Sequence, residues 1–160
     1  MQRRTVLGLI GGGVVGTGAL TTLAFAQNST EVTPELIDTT KQVTMWRDPS
    51  CGCCDAYADY LEANGYQVKR VDDRNFDKTS VSVGVPEQGL GCHLAKIEKY
   101  FVSGLVPVDI LERLVTEQPD IAGITLPGMP RNAPGMAREK YGTLKTYAFG
   151  ESGISVYSDE

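Results

Sequence analysis

The 160-residue chain has one histidine and one tryptophan, and Phe, Trp and Tyr together make up only 8% of it. No Ser-His-Asp motif is present, and a single imidazole cannot build the two-histidine helix of a zinc protease. Hydrolytic chemistry therefore has little to work with. Basic residues are outnumbered, 15 Lys and Arg against 20 Asp and Glu, for a net charge of −5. This excludes the basic footprint of a nucleic-acid or anionic-lipid binder. Four cysteines are too few for a disulfide-dense scaffold but enough for a metal or redox site. No internal repeat or low-complexity tract occurs after residue 26. Hydrophobic residues at 41% and charged residues at 22% describe a globular chain, neither disordered nor membrane-embedded throughout.

What is present begins with an address. Arg3 and Arg4 precede a charge-free, Gly- and Thr-rich run from Thr5 to Ala26. The run closes on Ala24-Phe25-Ala26, a small-x-small cleavage signal. Residues 1–26 thus read as a signal peptide, and the paired arginines before a weakly hydrophobic run read as the twin-arginine type. Retention of this segment as a membrane anchor is the alternative. Export to the periplasm or cell exterior follows, with no membrane association after cleavage. Residues 27–41 are polar and contain Pro34, as a linker does. The remaining domain, 42–160, is long enough to bury a core without staples.

Along that domain, 42–46 predicts a buried strand and 47–50 a turn. Residues 55–64 predict a helix stopped by Asn64-Gly65, and 66–71 a strand with one solvated face. A short helix over 76–83 and a long loop to Gly91 follow. Strands at 94–97 and 100–102 are joined by Glu98-Lys99. A helix begins with Pro107 in its first turn and is stopped by Gln118-Pro119. The order β-α-β, linker, β-β-α predicts an α/β thioredoxin-like domain, a central mixed sheet with flanking helices. Two additions follow it. Residues 126–136 hold three prolines, two glycines, Met129 and Met136, and can be neither helix nor central strand. Residues 143–149 and 154–157 predict a C-terminal hairpin.

Cys51, Cys53 and Cys54 fall in the loop between the first strand and first helix, where helix N–H groups favour thiolates. Cys92 starts the third strand, beside that loop in the expected fold. Three chemistries fit. Soft thiolates, with thioether sulfur, select Cu(I) or zinc. The crowding of neighbouring Cys53 and Cys54 favours bridged Cu(I) over zinc, which prefers wider paired arms. Cys51 to Cys54 is also a C-x-x-C pair, as in a thiol–disulfide oxidoreductase. Two structural disulfides are the third possibility. His93, directly after Cys92, is a candidate ligand or hydrogen-bond donor to one. Met129 is a candidate soft ligand, as is Met136. Trp46, Tyr57 and Tyr60 flank the cysteine loop as core aromatics.

Asp48-Pro49-Ser50-Cys51-Gly52-Cys53-Cys54, Gly91-Cys92-His93, Leu126-Pro127-Gly128-Met129-Pro130 and Ala133-Pro134-Gly135-Met136, in this order, resemble the CopG-type proteins of bacterial copper-resistance operons. The resemblance spans about 42–147. It implies a thioredoxin-like fold binding a Cu(I) cluster through Cys51, Cys53, Cys54 and Cys92. It further implies a periplasmic role in copper handling, with copper ions and other periplasmic copper-handling proteins as partners. The chain departs from the family pattern at Tyr60 and Leu105, where members often carry histidine. A sulfur-bound Cu(I) store or carrier fits that departure better than a copper-oxidising step that needs imidazole.

Overall fold

A computed structural model describes residues 41–137 and 141–160. The leader and all but the last residue of the linker lie outside the described residues. The elements are β1 (Gln42–Arg47), α1 (Gly52–Ala63), β2 (Gln67–Asp72), α2 (Phe76–Ser82), a 3-10 turn (Glu87–Gly89), β3 (His93–Ile97), β4 (Tyr100–Ser103), α3 (Val108–Glu117), β5 (Gly123–Thr125), β6 (Lys145–Gly150) and β7 (Gly153–Asp159). They build one mixed sheet in the order β2-β1-β3-β4-β5-β6-β7. The α/β class, the flanking helices, the Met-bearing loop and the C-terminal hairpin all match the sequence reading.

The two-residue period of the strands divides the core between the sheet's faces. Val43 and Met45 of β1, Ala95 and Ile97 of β3, Val102 of β4 and Ile124 of β5 join α1 and α3 in the main cluster. Leu94, Phe149 and Val85, with Trp46 and Phe101 packed against them, form a smaller cluster. Trp46 therefore faces away from the cysteine-bearing helix and does not flank the site; β1 is half-buried, where burial on both faces was expected. From α3, Ile110, Leu111 and Leu114 are buried, and each such side chain contributes about 1.5–3 kcal/mol relative to exposure.

Three departures have local causes. Helix α1 begins at Gly52, not at residue 55, because a turn prepares its start. The Ser50 amide donates to Asp48 Oδ1 at 2.8 Å, and the Cys51 amide to the Asp48 carbonyl at 3.0 Å. Cys51 then holds the extended conformation of a helix N-cap. Pro107 takes the corresponding position before α3 (ψ 148°), so its helix starts one residue later than expected. Strand β5, three residues long, has no alternating pattern to reveal it. It pairs parallel to β4 and antiparallel to β6, and so merges the hairpin into the main sheet.

Candidate metal centre

The site forms where β1 hands over to α1 and the chain enters β3. Strands β1 and β3 run antiparallel with Arg47 opposite His93. The residue just before β3 therefore lies beside the residues just after β1, which brings Cys92 to the Cys51–Cys54 turn across 38 positions. Cys51 is the N-cap of α1, and Cys53 and Cys54 fill its first turn.

The four sulfurs lie within 4.8 Å of one another. Cys51 and Cys54 are joined as a disulfide, and Cys53 and Cys92 are free thiols. One disulfide, not two, is formed in this structure. Cys53 Sγ sits 3.3 Å from Cys51 Sγ. Cys54 Sγ lies 3.2 Å from the Cys92 carbonyl oxygen, to which its thiol can donate once reduced.

Two further segments close on the cysteines. The main chain at Gly91 crosses that at Gly104 so closely that a Cβ on Gly91 would stand 2.2 Å from Gly104 Cα. Glycine is thus required for Cys92 to reach the turn. The Gly91 amide donates to Ser103 Oγ at 2.9 Å. From the other side, the 126–136 loop lies over the start of α1. At Gly135 (φ 82°) a Cβ would lie 2.9 Å from the Tyr57 amide nitrogen and 3.0 Å from the Cys53 carbonyl oxygen. A parallel bridge pairs Gly91 with Gly128, and the Gly128 amide donates to the Leu90 carbonyl at 2.9 Å. Met129 Sδ accepts from the Cys53 thiol at 3.6 Å.

The predicted site residues therefore divide. Cys51, Cys53, Cys54 and Cys92 converge, and Met129 meets Cys53. His93 is fully buried, with Nδ1 3.5 Å from Cys92 Sγ. Its ring packs on Tyr57, centroids 4.9 Å apart. Its Nε2 has no hydrogen-bond partner among the described residues. Met136 is 42% exposed on the same loop.

Electrostatics follow burial. Burial pushes the Cys92 thiol up to about 12, with the neighbouring Cys53 adding to the rise; removing a proton there needs a cation close by. Burial alone pulls His93 down to about 3, so its ring is neutral at ordinary pH. Tyr57, wholly buried, is held well above its usual value by desolvation. Its hydroxyl donates to the Val106 carbonyl at 2.7 Å. The Val108 amide donates to the Tyr60 hydroxyl at 2.9 Å. Sequence reasoning set both tyrosines beside the cysteine loop but missed these two hydrogen bonds. Both tyrosines tie α1 to the 106–108 turn, which no local pattern announces.

Among the described residues the clustered side-chain donors are all sulfur, with one shielded imidazole beside them. Soft donors of this kind suit Cu(I) and other thiophilic ions, and not the hard cations that take oxygen. Fold and site thus define a class: a mixed α/β sheet protein with a compact cysteine cluster able to hold a soft metal ion.

Comparisons narrow the class. A family described as "Protein of unknown function, DUF411" matches residues 90–136, the stretch carrying Cys92, His93, Met129 and Met136. Two solved structures titled "Copper resistance protein copG", Form 2 and Form 1, are each 31% identical to the chain, with TM-scores of 0.68 and 0.67. The match covers 74% of this chain in both cases, and 97% and 96% of theirs. No curated protein matches. The chain belongs to the CopG copper-resistance family.

Proposed function

We propose that this protein holds Cu(I) in a thiolate cluster and serves copper resistance or homeostasis outside the cytoplasm. The observation that carries this is the convergence of four cysteine sulfurs within 4.8 Å. With a metal–sulfur bond of about 2.3 Å, two sulfurs on one ion stand roughly 4 Å apart. Neighbouring Cys53 and Cys54 would be crowded on a single tetrahedral ion, which favours thiolates bridging several monovalent ions. Reduction of Cys51–Cys54 readies the full set. In this reading His93 orients Cys92 through Nδ1, and Met129 adds a thioether at the rim. The core strand order β2-β1-β3-β4, with α1 and α3 packed together on the sheet, supports reading the domain as thioredoxin-like.

The Arg3-Arg4 leader supports export, of the twin-arginine type, to the periplasm. Partners would then be copper ions and other periplasmic copper-handling proteins. Holding Cu(I) in a shielded sulfur pocket prevents it from cycling with oxidants in solution.

The test is an anaerobic Cu(I) titration of the reduced chain against a competing chelator, with free thiols counted. Uptake of more than one copper per chain, with protection of all four thiols, is the expected result. No uptake with four reactive thiols remaining would overturn the reading.

One observation favours a second reading. The disulfide joins a C-x-x-C pair at the start of the first helix, after the first strand. A thiol–disulfide oxidoreductase places its reactive pair there. Catalytic reduction of insulin by the metal-free protein, abolished by Cys51→Ser, would establish that activity.

A further inference from the structure

The disulfide and the metal cluster draw on the same sulfurs, yet the disulfide uses only two of them. Cys53 and Cys92 remain free thiols when Cys51–Cys54 is formed, and Met129 cannot be consumed by it. These three sulfurs have a geometry of their own. Cys53 Sγ and Met129 Sδ are in contact at 3.6 Å. Cys53 and Cys92 Sγ lie within 4.8 Å. The parallel bridge between Gly91 and Gly128 sets Cys92 and Met129 one residue beyond it on adjacent chain segments. Sulfurs sharing one ion stand roughly 4 Å apart, so these spacings suit three donors around a single centre. The set also reaches solvent. Met129 is 55% exposed, whereas Cys54 is wholly buried.

We infer that the disulfide form is itself a binding form: Cys53, Cys92 and Met129 take one soft monovalent ion while Cys51–Cys54 is oxidised, and reduction of that disulfide raises the capacity of the site. This rests on the proposed Cu(I)-thiolate reading. Two thiolates and a thioether satisfy one Cu(I), and each coordinating thiol releases its proton to solvent. The capacity change needs a dithiol reductant. A thiolate of the dithiol attacks one sulfur of the Cys51–Cys54 bond and expels the other as thiolate. The second thiol of the dithiol then resolves the mixed disulfide. Two electrons and two protons pass to Cys51 and Cys54, and the dithiol leaves as a disulfide. The protein thus has a one-ion state and a several-ion state, set by the thiol–disulfide poise around it.

The experiment is an anaerobic Cu(I) titration of the full chain in both states, with metal per chain counted against a chelator. The disulfide form is verified by two alkylatable thiols and the reduced form by four. The expected result is one copper per chain in the disulfide form and more than one after reduction. Met129→Leu should weaken binding to the disulfide form about tenfold. Cys51→Ser/Cys54→Ser, which keeps only the three-sulfur set, should bind one copper under reducing conditions. If neither the disulfide form nor this double variant binds copper, while the reduced chain still loads several ions, the inference is overturned and the proposed function stands. Equal affinity of Met129→Leu and the parent in the disulfide form overturns the three-sulfur set. Failure of the reduced chain to bind at all overturns the proposed function itself.

Discussion

The inner and outer halves of the cysteine site are built on opposite terms. On the inner side, Cys54, His93 and Tyr57 are sealed from solvent, and the main chain at Gly91 touches that at Gly104. On the outer side, Cys53 is partly open and Met129 is more than half exposed on a proline- and glycine-rich loop. The inner half is part of the hydrophobic core and is bound by core packing rules. The outer half presents its donors at the surface, at the edge of the core packing. A soft-metal site needs both: burial shields the thiolates from water and oxidants, and an open rim admits the ion.

The comparison breaks most readily at Gly91. Gly91→Val forces a side chain into the backbone of Gly104 and should cost more than about 3 kcal/mol. Urea denaturation checks this, and a fall of under 1 kcal/mol would deny the inner half its core character. Next comes acid sensitivity of the metal-free protein. His93 titrates near 3 when folded, below its usual 6.5, so the unfolded chain binds the proton more tightly. The stability this contributes is present above pH 6.5 and is lost as pH falls toward 3. A loss of a few kcal/mol across that window follows, at about 1.4 kcal/mol per pH unit. His93→Leu should flatten the slope, measured by denaturation midpoints between pH 7 and pH 4.

A smaller effect belongs to the tyrosine tie. Tyr57→Phe removes the donor to the Val106 carbonyl and leaves that oxygen unpaired in the core. About 1–2 kcal/mol should be lost, with the apparent Cu(I) stoichiometry unchanged. The smallest stability effect is expected at the rim. Met129→Leu should change unfolding free energy by less than about 0.5 kcal/mol, since its side chain is exposed. A loss above 1 kcal/mol would show that the Met129 side chain is packed as the core is and erase the distinction between the halves.

Much of this layout was legible beforehand. The order of strands and helices up to α3 follows from alternating and helical patterns that local physics enforces. Cys51, Cys53 and Cys54 lie so close in sequence that no fold could separate them. Cys92 was placed near them through the expected topology and the family resemblance, and Met129 was a candidate only as a soft thioether; both lie at the site. Other features were not legible. Strand β5 is too short for periodicity to show, and its role depends on the edges of β4 and β6. The opposite facing of Trp46 turns on which side of the sheet α1 covers.

The sequence by itself determined the chemistry available: four thiols, one imidazole, thioethers on a rigid loop, and no basic surface. It also determined the local devices, the Asp48-Pro49-Ser50 turn that starts α1 and the glycines that permit close crossings. Only the tertiary structure decided which sulfurs are buried and which are open. It set Cys92 against the helix through the β1–β3 register, closed Cys51–Cys54 in place of other pairings, and left Cys53 beside Met129. The physical reason is that residue type sets a group's intrinsic affinity for protons and metals, whereas burial and distance come from packing between segments far apart in the chain.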